Sequence, residues 1–455
     1  MRGEGDETVV VVEPLSYPGE SVAWVAVAIL SLLYLLGMID RYFITLLQGA
    51  IKADLHITDF QLSLLYGAAF AVVFAFAGLF AGWVVDRFSR RKVVFWSVVV
   101  WSLSAASCGL SRTFGALAAA RAGVGIGESG ITPTSHSVLA DMFRPHRLAL
   151  PLSVYALGGK LGQSLSFLIG SFVATVIAPA AIYQLANGWY VHGWQLAFVV
   201  VGLPGLVLAF LIFTIPEPGR HRPAGGSEGG FGEYARFMRA NPRFFTAHHL
   251  AAMIMTTVSV GMTSWAPAYF ERVHGLSVTS TGLWMGIALL VGPTLGLPLH
   301  GAMTDRLFRN GRGDAHLVYL AAAAALSTPI GIAAFLVSST AVSLVLLTVF
   351  AALISGYLSL PATALQLAIP GSFRGKSSAV FYLTAAQPSI TFGPMIVASF
   401  TDFVFRDPQK VGLSISLTIA LLMPLTALVM AAAFKPVREL ARARRSEMLP
   451  LDDRH

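Results

Sequence analysis

Five ionisable side chains of this sequence lie within long apolar stretches. They are Asp40, Arg41, Arg121, Glu128 and Lys160. A charged group at the centre of a bilayer costs roughly 2.5–3.5 kcal/mol on insertion scales, so each should face protein or a water-filled cavity. Carboxylates that lie among cations can take up and release protons as their surroundings change, and the cations can bind an anionic ligand. These residue types therefore indicate a buried site for protons and a charged ligand.

The spacing of these residues brings several of them together. Arg121 and Glu128 are seven residues apart, which is two turns of an α-helix, so they share one face. Tyr155 lies on a turn near Lys160 in a later apolar stretch. Because the clear mid-membrane charges all lie in the first half of the chain, we predict a site whose polar, cationic wall comes from that half.

The rest of the chain supplies the apolar helices that must hold these charges. Of its 455 residues, 55% are hydrophobic and only 12% are charged, whereas about 25% are charged in soluble domains. The apolar runs are long and continuous, as in helices that cross a bilayer with about 20 residues each. Strands of an outer-membrane barrel would alternate instead. We predict an all-α membrane protein with twelve transmembrane helices.

The predicted spans form two groups of six, separated by a polar, glycine-rich segment. They are 22–47, 60–85, 92–110, 113–142, 148–177 and 195–214 in the first group, and 243–270, 278–304, 315–337, 340–369, 376–402 and 411–434 in the second. The predicted division is an N-terminal tail (1–21), a first half (22–215), a linker (216–242), a second half (243–435) and a C-terminal tail (436–455).

The distribution of basic residues predicts that both termini are cytoplasmic. Most Lys and Arg residues outside the spans fall on the side that holds the termini, and cytoplasmic loops carry such an excess. The net charge of +8 therefore needs no nucleic-acid partner. We expect the inner (plasma) membrane of a bacterium. Phe231, Tyr234 and Phe237 recur at helical spacing in the linker, which predicts an amphipathic helix, either on the inner leaflet or solvated.

A short loop motif occurs once in each half. GWVVDRFSRRK follows the second predicted span, and GAMTDRLFRNGR follows the eighth. The corresponding positions, all at one constant offset, are Gly82 and Gly301, Asp86 and Asp305, and Arg87 and Arg306. A loop motif that returns half a chain later indicates two repeated six-helix halves.

The charges of this loop suggest a conformational gate. Asp86 lies near a helix C-terminus, where an unpaired anion is disfavoured by the helix dipole, and Arg90 and Arg91 are cations close by. Such a cluster can hold the ends of helices together in one conformation and release them in another. The predicted gate consists of Gly82, Asp86, Arg87, Arg90, Arg91, Asp305 and Arg306. The alternative is that these charges only determine the topology.

This sequence resembles one superfamily and one family within it. The pattern G-x-x-x-D-R-x-x-R-R-K resembles the signature loop of the major facilitator superfamily, which implies two pseudo-symmetric six-helix halves, alternating access and a monomer. M-I-D-R-Y in the first span, with G-x-G-E-S and then P-T and L-A-D-M-F in the fourth, resembles the spinster family. That resemblance implies transport of sphingolipids and lysophospholipids, with functional roles for Asp40, Arg41, Glu128 and Arg121.

These patterns predict a secondary active transporter that is coupled to protons and moves an amphipathic, anionic, lipid-like substrate. The cationic first half would bind the anionic head, and the second half, with little polar content, the apolar body. Substrate-binding and proton-coupling residues are predicted to be Asp40, Arg41, Arg121, Glu128, Tyr155 and Lys160. Alternatives are a symporter of a small organic anion such as a sugar acid, a drug exporter, or a purely structural salt-bridge cluster.

An intramembrane enzyme is not expected. The sequence shows no spacing typical of metal ligands or of a nucleophile with its base. His248 and His249 are adjacent, so we expect their side chains to point to different sides of a helix. No cofactor is predicted, and the expected partners are the substrate, protons and membrane lipids.

Overall fold

The computed structural model describes residues 17–144, 147–184, 188, 190–219 and 230–440. Most of these residues are helical, and one short antiparallel hairpin, β1 (Ile182–Gln184) with β2 (Tyr190–His192), joins two helices of the first half. Much of the two predicted tails and of the predicted linker lies outside the described residues.

The first half is built from ten α-helices. They are α1 (Glu20–Leu46), α2 (Gln48–Leu55), α3 (Asp59–Tyr66), α4 (Ala68–Arg87), α5 (Arg90–Cys108), α6 (Phe114–Ser129), α7 (Ile131–Met142), α8 (Ala149–Val176), α9 (Gly193–Gly202) and α10 (Pro204–Leu208), after which Ala209–Thr214 forms a 3₁₀ extension. The predicted span 113–142 is thus two helices, α6 and α7, which meet at Gly130.

The second half follows a short linker helix, α11 (Phe231–Ala240). The α-helices of the second half are α12 (Pro242–Arg272), α13 (Val278–Arg309), α14 (Ala315–Ala334), α15 (Thr340–Ile354), α16 (Ser359–Ala368), α17 (Arg374–Phe381), α18 (Gln387–Ser399) and α19 (Val411–Ala432). Short 3₁₀ turns cover Gly371–Phe373 and Pro408–Lys410, and π-helical turns cover Tyr382–Ala386 and Phe400–Phe405.

Nine segments within the described part of the chain are long and apolar enough to cross a bilayer. The remaining three predicted spans, 92–110, 113–142 and 148–177, are not among these nine segments. The architecture is that of an all-α, multi-pass membrane protein, while the count of twelve spans stays a prediction.

Small residues allow the helices that carry the charges to approach closely. A Cβ on Gly127 of α6 would lie 2.4 Å from the backbone nitrogen of Trp101 in α5. A Cβ on Gly158 of α8 would lie 2.7 Å from the carbonyl oxygen of Ser31 in α1. Both distances are too short for a real side chain, so glycine is needed at these crossings. Close packing of this kind is typical of membrane helices and brings the charges of α1, α6 and α8 to one interior.

The apolar face of α11 packs on the second half. Tyr234 is fully buried, and its ring contacts those of Phe245 and Phe373 at centroid distances of 6.1 and 5.6 Å. Phe237 contacts the same two rings. Tyr234 and Phe237 therefore bind the linker helix to the second half, whereas Phe231 is 63% exposed, and a contact of this helix with the inner leaflet stays a prediction.

Candidate functional site

The centre of the site is a buried ion pair between α1 and α6. The guanidinium of Arg41 donates from Nε to Glu128 Oε2 at 3.2 Å, and Nη2 makes a second, shorter contact with the same oxygen. Only 5% of the Glu128 side chain is exposed, and its Oε1 has no hydrogen-bond partner within the described residues. The rings of Phe70 and Phe74 lie beside the guanidinium, at 4.5 and 5.4 Å from its carbon, where cation–π attraction favours the charge.

A second pair of predicted residues, Asp40 and Arg121, lies next to this ion pair. Arg121 is fully buried and donates from Nη1 to the carbonyl oxygen of Asp40 at 3.4 Å. Its Nε and Nη2 have no hydrogen-bond partner in the described part of the chain. The Asp40 side chain is buried as well, at 6% exposure. Arg121 therefore keeps hydrogen-bonding capacity that an anion or water could use.

Two stacked tyrosines line the same interior. The rings of Tyr34 in α1 and Tyr155 in α8 are parallel at 4.8 Å, and the Tyr155 hydroxyl bonds to that of Thr132 at 3.3 Å. Sequence reasoning singled out Tyr155 but missed Tyr34. The signal was available, because Tyr34 precedes Arg41 by two helical turns and shares its face.

Lys160 connects the two halves at this level. Its Nζ donates to the hydroxyl of Tyr357 at 3.2 Å and lies 4.6 Å from the centre of that ring. Tyr357 precedes α16 in the second half, and Tyr382 is within electrostatic range of both Tyr357 and Tyr34. All six predicted site residues thus lie on α1, α6 and α8, and the second half faces them with tyrosines.

The residues of the predicted loop gate are placed at the end of the bundle that holds α11. Arg90 is almost fully buried and bonds to Asp141, to the carbonyl oxygen of Pro218 and to Glu217, whose Oε1 lies 3.1 Å from Nε. Arg91 Nε lies 3.6 Å from Glu217 Oε2. These bonds tie α5 to α7 of the first half and to the start of the linker after α10.

The other members of the predicted gate are more exposed. Asp86, Arg87, Asp305 and Arg306 are exposed, and the Arg87 guanidinium lies over the ring of Trp83 at 4.4 Å. Gly82 is exposed as well. The gating role of this loop therefore stays a prediction, and Glu217 is a partner that the loop motif did not indicate.

The Glu217 carboxylate accepts several hydrogen bonds. Partial burial acts to raise its pKa, but bonds from Ser89 Oγ, from the backbone N–H groups of Arg90 and Arg91 and from the Arg90 side chain outweigh that effect and hold the pKa at about 2. Hydrogen bonds to the charged form of a carboxyl group lower its pKa in this way.

Replacing Glu217 by glutamine should therefore lower stability at neutral pH. A carboxyl whose pKa is lowered by folding stabilises the native state above its unfolded pKa of about 4.3, and this contribution is lost as the pH falls towards about 2. Thermal unfolding of the wild type and Glu217→Gln should differ at neutral pH and converge in acid. Glu233→Gln, on the exposed face of α11, is the matched control. A difference in thermal unfolding between the wild type and Glu217→Gln that persists at low pH would contradict this prediction.

The opposite end of the bundle is closed by a charge cluster that the sequence reasoning missed. Asp59, at the start of α3, is fully buried and accepts two hydrogen bonds from Arg272, at 2.6 and 2.9 Å. Lys52 Nζ lies 2.5 Å from the same carboxylate, and Asp402 accepts from the backbone N–H of Phe60 at 2.6 Å. Because Asp59 belongs to the first half and Arg272 to the second, this cluster joins the halves.

Helix packing closes the same end. Ser171 Oγ of α8 donates to the carbonyl oxygen of Thr279 in α13 at 2.7 Å, and a Cβ on Gly282 would lie 2.7 Å from the carbonyl oxygen of Phe167. We call this end, formed by 47–59 and 272–279, the closed end. The sequence feature that could have indicated this contact is the pair of opposite charges, Asp59 at the start of α3 and Arg272 at the end of α12.

The expectation for the two adjacent histidines is wrong. The Nδ1 atoms of His248 and His249 lie 3.3 Å apart, and His248 Nε2 lies 2.8 Å from the carbonyl oxygen of Pro361. Both rings contact Phe381, so packing against α17 turns the two side chains towards each other. The described residues hold no group of three or more His, Cys, Asp or Glu side chains suited to a metal ion.

The chain resembles known carriers over most of its length. It is 28% identical over 411 residues to a protein named MFS-type efflux pump of Mycolicibacterium smegmatis, covering 88% of this chain and 90% of that one. A probable galactarate/D-glucarate transporter of Bacillus subtilis is 24% identical over 323 residues (64% and 67%). Protein spinster homolog 3 of Danio rerio is 27% identical over 262 residues (55% and 49%).

The fold matches that of a solved transporter. A crystal structure of a bacterial homologue of the human lysosomal transporter spinster, in an inward-facing and unoccupied conformation, superposes with a TM-score of 0.77 at 24% identity, covering 95% of this chain and 100% of that one. Residues 30–394 match the sequence profile of the Major Facilitator Superfamily. The two predicted groups of spans and the repeated loop motif agree with this match: the chain belongs to the major facilitator superfamily and resembles its spinster members.

Proposed function

We propose that this transporter moves an amphipathic, anionic, lipid-like substrate, of the sphingolipid or lysophospholipid type, by alternating access. The observation that carries the proposal is the one-sided distribution of charge around the site. The first half contributes Arg41, Arg121 and Lys160, of which Arg121 has donors that find no partner among the described residues. The second half faces them with tyrosines, of which Tyr357 offers its hydroxyl and ring to Lys160.

Proton coupling follows from shared partners. Glu128 and an anionic substrate head would compete for the guanidinium of Arg41, so substrate binding favours protonation of the displaced carboxyl. Asp40, beside Arg121, is the second acid of this cluster. Protonating either acid makes the site more positive and so strengthens its attraction for an anion. Proton and substrate are thereby linked without a direct contact between them.

Orientation, chain division and oligomeric state complete the proposal. If both termini are cytoplasmic, as the basic residues predict, the closed end faces the outside and the site opens to the cytoplasm of a bacterial cell. The division into tails, halves and linker, and the monomeric state, stay predictions. The charges at the loop after α4 would act on the same movement by holding α5 to α7.

A small organic anion such as a sugar acid is the second candidate substrate. It is supported by the similarity to a probable galactarate/D-glucarate transporter. A substrate rich in oxygen atoms would need several hydroxyl or amide partners on both walls of the site. The modest polar content of the second half weighs against such a substrate. The similarity to a protein named MFS-type efflux pump supports a drug exporter as the third candidate.

Ligand-induced thermal stabilisation distinguishes these candidates. A lysophospholipid or sphingoid phosphate at a hundredfold excess over its Kd should stabilise the wild type by about 2.7 kcal/mol, and a sugar acid should not. The effect should be lost in the Lys160→Met variant, which removes a cation that bonds across the halves. Lys410→Met, an exposed position, is the matched control. Stabilisation by galactarate alone would replace the lipid proposal with the organic-anion symporter.

A further inference from the structure

Glu271 is a mostly buried carboxylate beside the closed end. It precedes Arg272 at the end of α12, and its Oε1 has no hydrogen-bond partner within the described part of the chain. Its Oε2 lies 3.3 Å from the position that a Cβ on Gly49 of α2 would occupy, so the first half covers it. Buried carboxylate oxygens are nearly always paired. An unpaired carboxylate oxygen at a closed surface indicates either that the carboxyl group carries a proton or that its partner is present only in another conformation.

The cations around Glu271 are committed to another carboxylate. Arg272 gives two hydrogen bonds to Asp59, and Lys52 approaches the same group. Arg272 is the charged neighbour within electrostatic range of Glu271. The two cations of the closed end thus both bind Asp59, and Glu271 has no ion pair within the described residues.

The other elements packed here bring further titratable and polar groups. Those facing this region are Gln48 and Lys52 from α2, Asp59 and Tyr66 from α3, and Asp402 from the turn before α19. Tyr66 donates to Gln48 at 2.9 Å and lies within electrostatic range of Glu271 and of Arg121 in the substrate site. Tyr66 is therefore influenced by charges of both the closed end and the substrate site.

Opening must separate Asp59 from Arg272, because they belong to different halves. Arg272 then needs another anion, and Glu271 moves with it on the same helix. We propose that Glu271 is a second proton-binding group: it carries a proton while the end is closed and releases it to the adjoining solution on opening, when the charge of Arg272 is no longer neutralised by Asp59 and favours the Glu271 carboxylate. This inference rests on the proposed alternating access and adds a proton site outside the substrate-binding cluster.

The test measures opening directly and needs no substrate. Ser63 is fully buried one turn beyond Asp59, and the single cysteine, Cys108, can be replaced by alanine to give a clean background. In Ser63→Cys, the rate of labelling by a membrane-impermeant maleimide added at the closed end is divided by the rate for the same cysteine in unfolded protein at each pH, because the thiolate is the reacting form. This normalised rate should increase as the pH rises, by up to about tenfold per unit, since one proton is released on opening. Glu271→Gln, which mimics the protonated form, should label slowly at every pH.

Matched variants make the result decisive. Asp407→Asn, at the same surface but capping a turn, should keep the full pH dependence. Glu271→Asp should keep a slope with a shifted midpoint, so it tests the inference even if Glu271→Gln does not fold. An unchanged pH dependence in Glu271→Gln, or an unchanged midpoint in Glu271→Asp, would overturn the inference.

The same variants separate this inference from the proposed substrate site. If labelling loses its pH dependence in Glu271→Gln while no lipid stabilises the wild type, the proton site stands and the proposed substrate is wrong. If the pH dependence survives in Glu271→Gln but disappears in Asp40→Asn, the proposed coupling cluster accounts for it and the Glu271 site is rejected.

Discussion

Replacing Arg41 by alanine is expected to destabilise the protein by about 3–5 kcal/mol, because removing one partner of a buried ion pair leaves the other charge uncompensated. Glu128 would lose its only ionic partner within the described residues, where its side chain is 5% exposed. Chemical denaturation of the purified protein in detergent measures the loss. Arg41→Lys, which keeps the charge but not the guanidinium, should lose less.

The double variant Arg41→Met/Glu128→Gln distinguishes structure from function. Removing both charges together leaves neither one unpaired, so most of the stability should return. Stabilisation by an anionic lipid should remain absent, since the cation that binds the head is gone. A double variant that still binds the lipid like the wild type would support the purely structural salt-bridge cluster that the sequence also allowed.

Replacing Asp59 by asparagine is expected to open the closed end. The substitution removes the anion that holds Arg272 through two hydrogen bonds and Lys52 through one. A loss of about 3 kcal/mol corresponds to a more than hundredfold shift in the equilibrium between conformations. Distances between spin labels at Ala53→Cys and Val273→Cys, one in each half, should change from one short population to a dominant longer one.

Two comparisons control this prediction. The exchange Asp59→Arg with Arg272→Asp re-creates an opposite-charge pair across the halves and should restore part of the short population. Lys52→Gln leaves the bonds between Asp59 and Arg272 in place, so it should shift the equilibrium less. A short distance that persists in Asp59→Asn would mean that the packing of α8 on α13 closes this end without the charges.

Much of the site could be predicted because burial of charge is visible in sequence. Asp40, Arg41, Arg121, Glu128 and Lys160 are conspicuous in apolar runs, and a helical period of 3.6 residues places Arg121 and Glu128 on one face. Which carboxylate pairs with which cation was open, because it depends on the crossing of α1 and α6. The structure shows Arg41 with Glu128 and places Arg121 against the backbone of Asp40.

The partners that were missed share one property: each contact joins residues far apart in the chain. Glu217 bonds to Arg90 from the start of the linker, and Tyr357 bonds to Lys160 from the second half. Asp59 and Arg272 looked like ordinary helix-end charges, because the free-energy cost of a charged side chain is lowest at the ends of membrane spans. Only the packing of one half on the other buries them and makes them an ion pair that holds the two halves together.

The sequence by itself determined the all-helical membrane architecture, the two-half organisation and the asymmetry of charge between the halves. These features follow from local quantities, namely hydrophobic length, helical period and a repeated loop motif. The tertiary structure decided the pairing of the charges, the closed end and the contact of the two adjacent histidines. Those features depend on distances between helices, which glycines such as Gly127 and Gly158 set by permitting close approach and which local sequence patterns do not encode.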